Sequence, residues 1–581
     1  MLSTILHSYV QYGDKFLLWN MTFPSGKIYQ VNMVFPLCLF VVDIQGAHKL
    51  VGMFDSYSQV ERPCISCDCT FDNLDNFQVQ CNAIIHDDMC NAIINKSKDE
   101  LKQYSQHKLP ENAFFNVSTG GWKYGIWGLC PAEILHQLYE GLIKYALDYF
   151  FQNLFTDASR DKLEKDVAKI IKCCKNQSDR SFPKATYTSG ICSTAKMKGK
   201  EKFASLFYLS LYLSSSISKD VYKGLNKSIT RNKLLKWRDL FDKTLYLHDW
   251  LMQEKHSIKD VEEKAIKIKD YFKLYKSIVN RQEGNGLKIP KMHELLHVCR
   301  DILRHGPPMN YDTCPTESNH RPMKALSQNT QRIKSRFEFQ TASRLYEENI
   351  ITTSFENSMK DMRNMHEISS YAQTRNDKKS SHKYFVTYDS GTKKVVFQNT
   401  LDGDGEIENA NLKDNNTENL YAKIASFIKN HIFEKLTVNH LPCYSIYKRK
   451  NLIFYGETTK KRKNITNLSW AQFLWQFDDG REDAVPGQCL LFIDLQNVTY
   501  KITCELEDRY ENEIYVLIQS LSKKPPDNPG NLAQSCSVLE GYFLVSVDTI
   551  HDACYIIPDV GNVDTKNLLY INSRTTWAKN F

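Results

Sequence analysis

One stretch constrains the fold more than any other. From Tyr124 to Ala146 the chain reads YGIWGLCPAEILHQLYEGLIKYA. A Gly/Pro-rich turn runs directly into a helical pattern. Leu135, Leu138, Leu142, Tyr145 and Ala146 recur at helical period and predict a buried stripe. Glu133 and His136 stand three residues apart, so they share one face of that helix. A carboxylate and an imidazole are thereby placed beside a core. The structural meaning of such a pair is a first-turn cap plus a satisfied core histidine. The functional meaning is a site built on a rigid helix.

The chain has 581 residues, too many for a single core, and two to four domains are expected. Hydrophobic residues make up 42%, enough for packed globular domains rather than bulk disorder. The net charge of +8 is compatible with nucleic-acid binding without identifying it. Met1-Leu-Ser-Thr-Ile-Leu-His-Ser lacks the basic start and sustained apolar run of a secretory signal. The 17 cysteines are therefore expected to be reduced, and clustered ones are metal ligands before they are disulfides. The apolar run Phe203 to Ile217 is too short and too rich in serine to span a bilayer. The expectation is a soluble protein, nuclear or otherwise intracellular, with no membrane partner.

Strands are expected first. Phe16 to Phe23 and Lys27 to Phe35 flank a Pro-Ser-Gly turn, and Leu37 to Asp43 reads as a buried strand. Residues 60–92 are Cys-rich and irregular. Helical periodicity recurs over 131–155, 159–175, 200–218, 230–255, 257–280, 290–304 and 331–348. Polar composition from about 355 predicts a linker, and short apolar runs from 440 onward predict a separate β-rich domain.

Five groups of residues carry chemistry. Asp43 ends an apolar run beside a Gly-containing turn, where open sheets place functional carboxylates; starting a turn is its ordinary role. Cys64-Ile-Ser-Cys67 has the two-residue gap that lets two thiolates grip one tetrahedral ion. Its second pair is expected nearby, Cys81 with His86 or His86 with Cys90, with the ion structural. His293-Glu294-Leu-Leu-His297 matches the two-histidine, one-base pattern of zinc peptidases, but Arg300 stands where the extended form places glycine. Glu317 precedes His320 by three residues at the mouth of a basic segment with Lys324, Arg332, Lys334 and Arg336. Lys460, Lys461, Arg462 and Lys463 form a second basic run, suited to phosphates or to a solvated loop.

The order of these pieces resembles the CACTA-like and Plavaka-like DDE transposases, which are related to the Kyakuja-Dileera-Zisupton elements. Pro36 to Gly52, Arg62 to Cys81, Tyr124 to Phe151, Ser178 to Ile191, Leu247 to Trp250, Ile289 to His293 and Gly306 to His320 each resemble a block of that family. Together they cover roughly residues 30–350.

The resemblance implies an α/β plus α architecture. Residues 1–130 would be the first part of an RNase H-like catalytic core, with a Cys-rich, zinc-like insert at 60–92. Residues 131–354 would be a helical region completing the core, 355–439 a linker and mixed segment, and 440–581 a β-rich accessory domain. It implies metal-dependent cleavage and transfer of DNA strands, with Mg²⁺ or Mn²⁺ held by Asp43, Glu133 and Glu317 and supported by His136 and His320. Zn²⁺ would be structural on Cys64, Cys67, Cys81 and His86. The partners would be transposon ends, target DNA and further copies of the chain. Only Asp14 lies upstream where a first-strand acid is expected, so a truncated, inactive or domesticated copy is also expected. The alternatives are a non-catalytic DNA-binding descendant and a zinc peptidase on His293, Glu294 and His297.

Overall fold

The structure is a computed structural model. It describes residues 17–314 apart from 23–25, 34–38, 55–59, 110–111, 116, 118, 120–121, 175–182, 184, 216–229 and 282–283. Beyond these it describes 337, 339–340, 343–347 and 350, then the strands between 383 and 572 with short flanks, and the chain end at 577 and 579–581. Among the described residues the protein combines helices with antiparallel sheet.

The hairpin forms as expected: β1 (Leu17–Thr22) pairs antiparallel with β2 (Ile28–Met33). The expected third strand differs. Residues 39–43 carry no strand pairing, and Phe40 N instead donates to Leu129 O at 2.8 Å. The run ends because Asp43 caps α1 (Ile44–Val51), its Oδ1 accepting from Gly46 N at 2.7 Å. Gly52 closes α1 at φ 73°, a left-handed stop natural to glycine.

The Cys-rich segment leads into α2 (His86–Asn95) and α3 (Lys98–Lys102), the latter entered through a Ser97/Glu100 capping box. Then comes the Glu133/His136 helix. Its first part, Leu135–Ile143, is π-helical and continues as α4 (Lys144–Leu154). Such widened turns cluster at functional sites because they re-aim side chains.

The helical region continues through α5 (Asp157–Cys174), α6 (Gly199–Ser214), α7 (Arg231–Leu251) and α8 (Ile258–Ile278). Most residues of α6 are buried, which explains the apolar run that begins at Phe203. The expected helix over 290–304 is broken into α9 (Pro290–Glu294), a 3₁₀ turn (Leu295–His297) and α10 (Val298–His305). The expected helix at 331–348 lies mostly outside the described residues.

The C-terminal strands are β3 (Lys383–Asp389), β4 (Lys394–Asn399), β5 (His440–Tyr444), β6 (Ile446–Arg449), β7 (Leu452–Tyr455), β8 (Trp470–Gln476), β9 (Glu482–Asp494), β10 (Ile514–Lys523), β11 (Ala533–Val538), β12 (Phe543–Ser546), β13 (Ile550–Pro558) and β14 (Asn567–Asn572). The main sheet runs β12-β10-β11-β14-β13-β8-β9-β5-β3-β4, and β10 also pairs with β9. Strands β10, β11, β14, β13, β8 and β9 thus return on themselves as a closed antiparallel ring, which leaves few open edges. Gly487 permits the closure: a Cβ there would lie 3.0 Å from the Phe473 ring and 3.1 Å from Ile518 Cδ1.

Two expectations about this region change. The sheet begins at β3 and β4, in the linker and mixed segment 355–439 rather than from 440, because a polar surrounding masked two alternating strands. The β-rich part is also joined to the helices by a shared core. Leu532, Ala533, Tyr555, Ile557, Leu569, Ile571, Trp577 and Phe581 pack with α6, α7 and α8 residues. Trp577 stacks on Phe207 with ring centroids 5.8 Å apart.

Buried Asp242 sits at that junction. Its Oδ2 accepts from Leu532 N at 3.0 Å, and Ser210 Oγ donates to Oδ1. Burial pushes its carboxyl up to about 7, against the hydrogen bonds that pull it down. The folded pKa exceeds the unfolded one, so the folded state binds the proton more tightly. The associated stabilisation is full below about pH 4 and is lost as pH rises through about 7, on the order of 4 kcal/mol in total. Urea titrations at pH 5.5 and pH 8 should show about half of that loss, about 2 kcal/mol, in the wild type and a flatter profile in Asp242→Asn. Equal profiles would mean that Asp242 does not titrate there.

Candidate metal centre and acidic pocket

Cys64 and Cys67 lie on a loop pinned to the helices. Lys276 Nζ donates to Asp75 O and Oδ2, Lys288 Nζ to Asp72 Oδ1, and Arg300 Nη1 to Ser66 O. These contacts bring the loop against α9 and the 3₁₀ turn that follows it. Cys67 Sγ comes 3.2 Å from His293 Nε2, and Cys64 Sγ comes 3.4 Å from His297 Nε2. One donor atom from each of the four residues lies within 4.8 Å of all the others. Cys64, Cys67 and His293 are at most 3% exposed.

The donor set fits a metal ion. Two thiolates and two neutral imidazoles are the ligands of tetrahedral zinc, and Zn–S and Zn–N bonds at tetrahedral angles separate S from N by about 3.6 Å. The observed separations sit close to that value. Burial raises the Cys64 thiol, but the Cys67 hydrogen bond and the His297 charge overcome it and hold Cys64 well below the usual thiol range. Burial lowers His297 and favours its neutral, ligating form. The cluster can hold a metal such as zinc.

This corrects the expected ligand set. Cys81 and His86 are not its second pair; the histidines 226 and 233 residues further on are. Cys81 lies beside Cys67 and Cys69, whose hydrogen bonds lower its pKa to about 6. His86 instead approaches Cys90 Sγ at 3.6 Å and packs on Trp127.

The peptidase reading loses its geometry for the same reason. A hydrolytic zinc keeps an open position for water, whereas four protein donors close this one. Glu294 turns away from it: Oε2 accepts from Gln137 Nε2 at 2.7 Å. Burial holds the Glu294 acid well above the usual carboxylate range, which removes it as a base near neutrality.

The acidic pocket adjoins this centre. Glu133 is 1% exposed, and Oε1 accepts from both His136 N and His136 Nδ1 at 2.7 Å. Its Oε2 accepts from Thr313 Oγ1 at 2.8 Å. The capping role and the carboxylate–imidazole pair therefore coexist in one side chain. The Glu133 hydrogen bond raises His136 above its ordinary pKa, and Asp43 raises it further while Lys291 opposes. Burial lowers Lys291, and the charges of Glu140, Glu133 and Asp43 oppose that shift. Asp43, Glu133, His136 and Lys291 thus share one electrostatic neighbourhood, although Asp43 and Glu133 come from elements 90 residues apart in sequence. Among the described residues, Asp43, Glu133 and His136 do not form a mutually close donor set like the Cys/His cluster.

The two sites share α9 as a wall. That helix carries Lys291 toward the acids, His293 toward the thiols, and Glu294 between them on Gln137. Ala132 N also donates to Asp301 Oδ2 of α10 at 3.1 Å, fixing the entry of the Glu133 helix. Gln137, Lys291 and Thr313 were not singled out from sequence. Only the repeated clustering of polar residues on helices with otherwise apolar stripes could have drawn attention to them.

Glu317, His320, Lys324, Arg332, Lys334, Arg336, Lys460, Lys461, Arg462 and Lys463 lie outside the described residues, as does Asp14. No described helix is long and apolar enough to cross a membrane. No protein-family model matches the chain, and no curated protein or solved structure matches it.

Proposed function

We propose that the chain is a transposase-like protein that cleaves and transfers DNA strands by divalent-metal chemistry, on an RNase H-like core braced by a structural zinc. The observation that carries this reading is the pairing of buried Glu133 with His136, on whose imidazole Asp43 of a separate element also acts electrostatically. The ordered motifs that resemble CACTA-like and Plavaka-like transposases supply the reaction class. Asp43, Glu133 and Glu317 would hold Mg²⁺ or Mn²⁺, hard ions that take oxygen ligands. Such ions, when bound, activate a water or 3′-hydroxyl and stabilise the leaving oxygen. His136 orients the Glu133 carboxylate through Nδ1, and Lys291 offsets the accumulated negative charge. The basic residues at 324–336 and 460–463 would contact phosphates and place the protein on DNA in the nucleus.

A second reading, non-catalytic DNA binding, rests on a specific observation. Both Glu133 oxygens have protein partners, and one Asp43 oxygen is taken by the α1 cap. Carboxylates committed in this way are satisfied without an ion.

The discriminating assay is Mg²⁺-dependent nicking of supercoiled DNA by the full chain. Active wild type and an inactive Glu317→Gln variant are expected. Equal nicking by both would remove Glu317 from the mechanism, and DNA binding without nicking by the wild type would favour the second reading.

A further inference from the structure

A cleft of about 450 Å³ opens between the Cys-rich loop and one face of α2. Arg62, Asp68, Asp88, Asn95, Lys96 and Tyr104 line it, and none belongs to the metal centre or the acidic pocket.

Its cationic side is prearranged. The Arg62 guanidinium lies over the Tyr104 ring at 5.0 Å, and Lys96 Nζ lies 5.6 Å from the same ring. Cation–π attraction holds both heads at the cleft rather than dispersed in water. Arg62 is anchored from behind by its backbone N, which donates to Ser105 Oγ at 2.8 Å. Its Nε is buried and has no hydrogen-bond partner among the described residues. The guanidinium lines the cleft and can meet a phosphate oxygen there through charge-assisted hydrogen bonds.

The cleft also carries two carboxylates, of which one is engaged. Both Asp68 oxygens are engaged by Asn82, through its backbone N at 2.8 Å and its Nδ2 at 3.1 Å. Asp88 is exposed and free to accept. Its single carboxylate suits a planar group with two adjacent N–H donors. The volume is at the lower end of small-ligand pockets and matches one nucleotide.

We propose that this cleft binds a guanine nucleotide unit, with its phosphate on Arg62 and Lys96 and the N1–H and exocyclic amino edge of the base on Asp88. The unit is either a free mononucleotide or a guanine within an unpaired strand. The site is independent of strand cleavage, so its failure would leave the proposed function standing.

Calorimetric titration of the full chain with guanosine 5′-monophosphate tests it. Binding is expected, weaker by about tenfold or more in Arg62→Gln and in Lys96→Gln. Inosine 5′-monophosphate, which lacks the exocyclic amino group, should bind more weakly than the guanosine form, and Asp88→Asn should abolish that difference. Lys96 follows the last residue of α2, apart from the loop that carries Arg62, so its variant keeps the reading informative if Arg62→Gln perturbs that loop; unchanged circular dichroism is the control. A guanine-containing single-stranded oligonucleotide that competes with the mononucleotide identifies a strand as the source, and one that does not compete identifies the free nucleotide. Absence of mononucleotide binding, or binding unaffected by both cationic variants, overturns the proposal.

Discussion

Replacing Cys64 with serine is expected to release a bound zinc ion and to lower stability by about 4 kcal/mol or more. Cys67 meets His293 and Cys64 meets His297 across separations of 226 and 233 residues, so the ion would tie the loop to the helical core. The loop's own apolar cluster is small, essentially the cysteines with Leu74, Phe71 and Cys81. Without the ion, two thiols and two imidazoles remain buried with only weak mutual hydrogen bonds, a costly arrangement. Elemental analysis should give one zinc per chain in the wild type and much less in Cys64→Ser and His297→Ala. Cys81→Ser separates the observed ligand set from the one suggested by sequence. It should retain the ion, whereas its loss there with retention in His297→Ala would show that the four-residue assignment is wrong. Affinity should fall as pH drops, because protons compete for both ligand types.

The second large effect is expected at Glu133. Glu133→Gln should lower Mg²⁺-dependent nicking by about 10²–10³-fold while leaving the helix in place. The amide oxygen still accepts from His136 N, so the cap survives; the negative charge does not. His136 reports the same change independently of activity. Its pKa is raised by the Glu133 hydrogen bond, so the pair's stabilisation is full below the ordinary histidine pKa and is lost as pH rises through the raised value. In Glu133→Gln the His136 titration, followed by NMR, should move down toward the ordinary histidine value. Asp43→Asn should move it in the same direction by less, since Asp43 acts on His136 through space. A large drop in nicking with an unmoved His136 titration would mean that the two groups are not coupled as the structure places them. Unchanged nicking in both variants would exclude these carboxylates from catalysis.

Local pattern was a reliable guide where one segment fixes its own conformation. The Leu135, Leu138 and Leu142 stripe, the β1–β2 pairing and the α5 to α8 helices follow from spacing and local pattern. It was unreliable where neighbours decide. Residues 39–43 look like a strand but carry no strand pairing, and the 290–304 helix breaks where it meets the cysteine loop. The strands at 383–399 escaped notice because polar sequence surrounds them, although β3 pairs with its neighbour β4 and with the more distant β5.

The amino-acid order by itself determined the half-sites: a two-thiol loop, a two-histidine turn, and a carboxylate with an imidazole on one helix face. Each depends on spacing within a few residues, which backbone geometry converts directly into shared direction. Which halves join was decided only in three dimensions. Cys64 and Cys67 chose His293 and His297 over the nearer Cys81 and His86 because loop anchoring by Lys276, Lys288 and Arg300 carries the thiols onto α9 and the turn after it. Long-range pairing of this kind depends on packing and charge between segments, and no local periodicity encodes it.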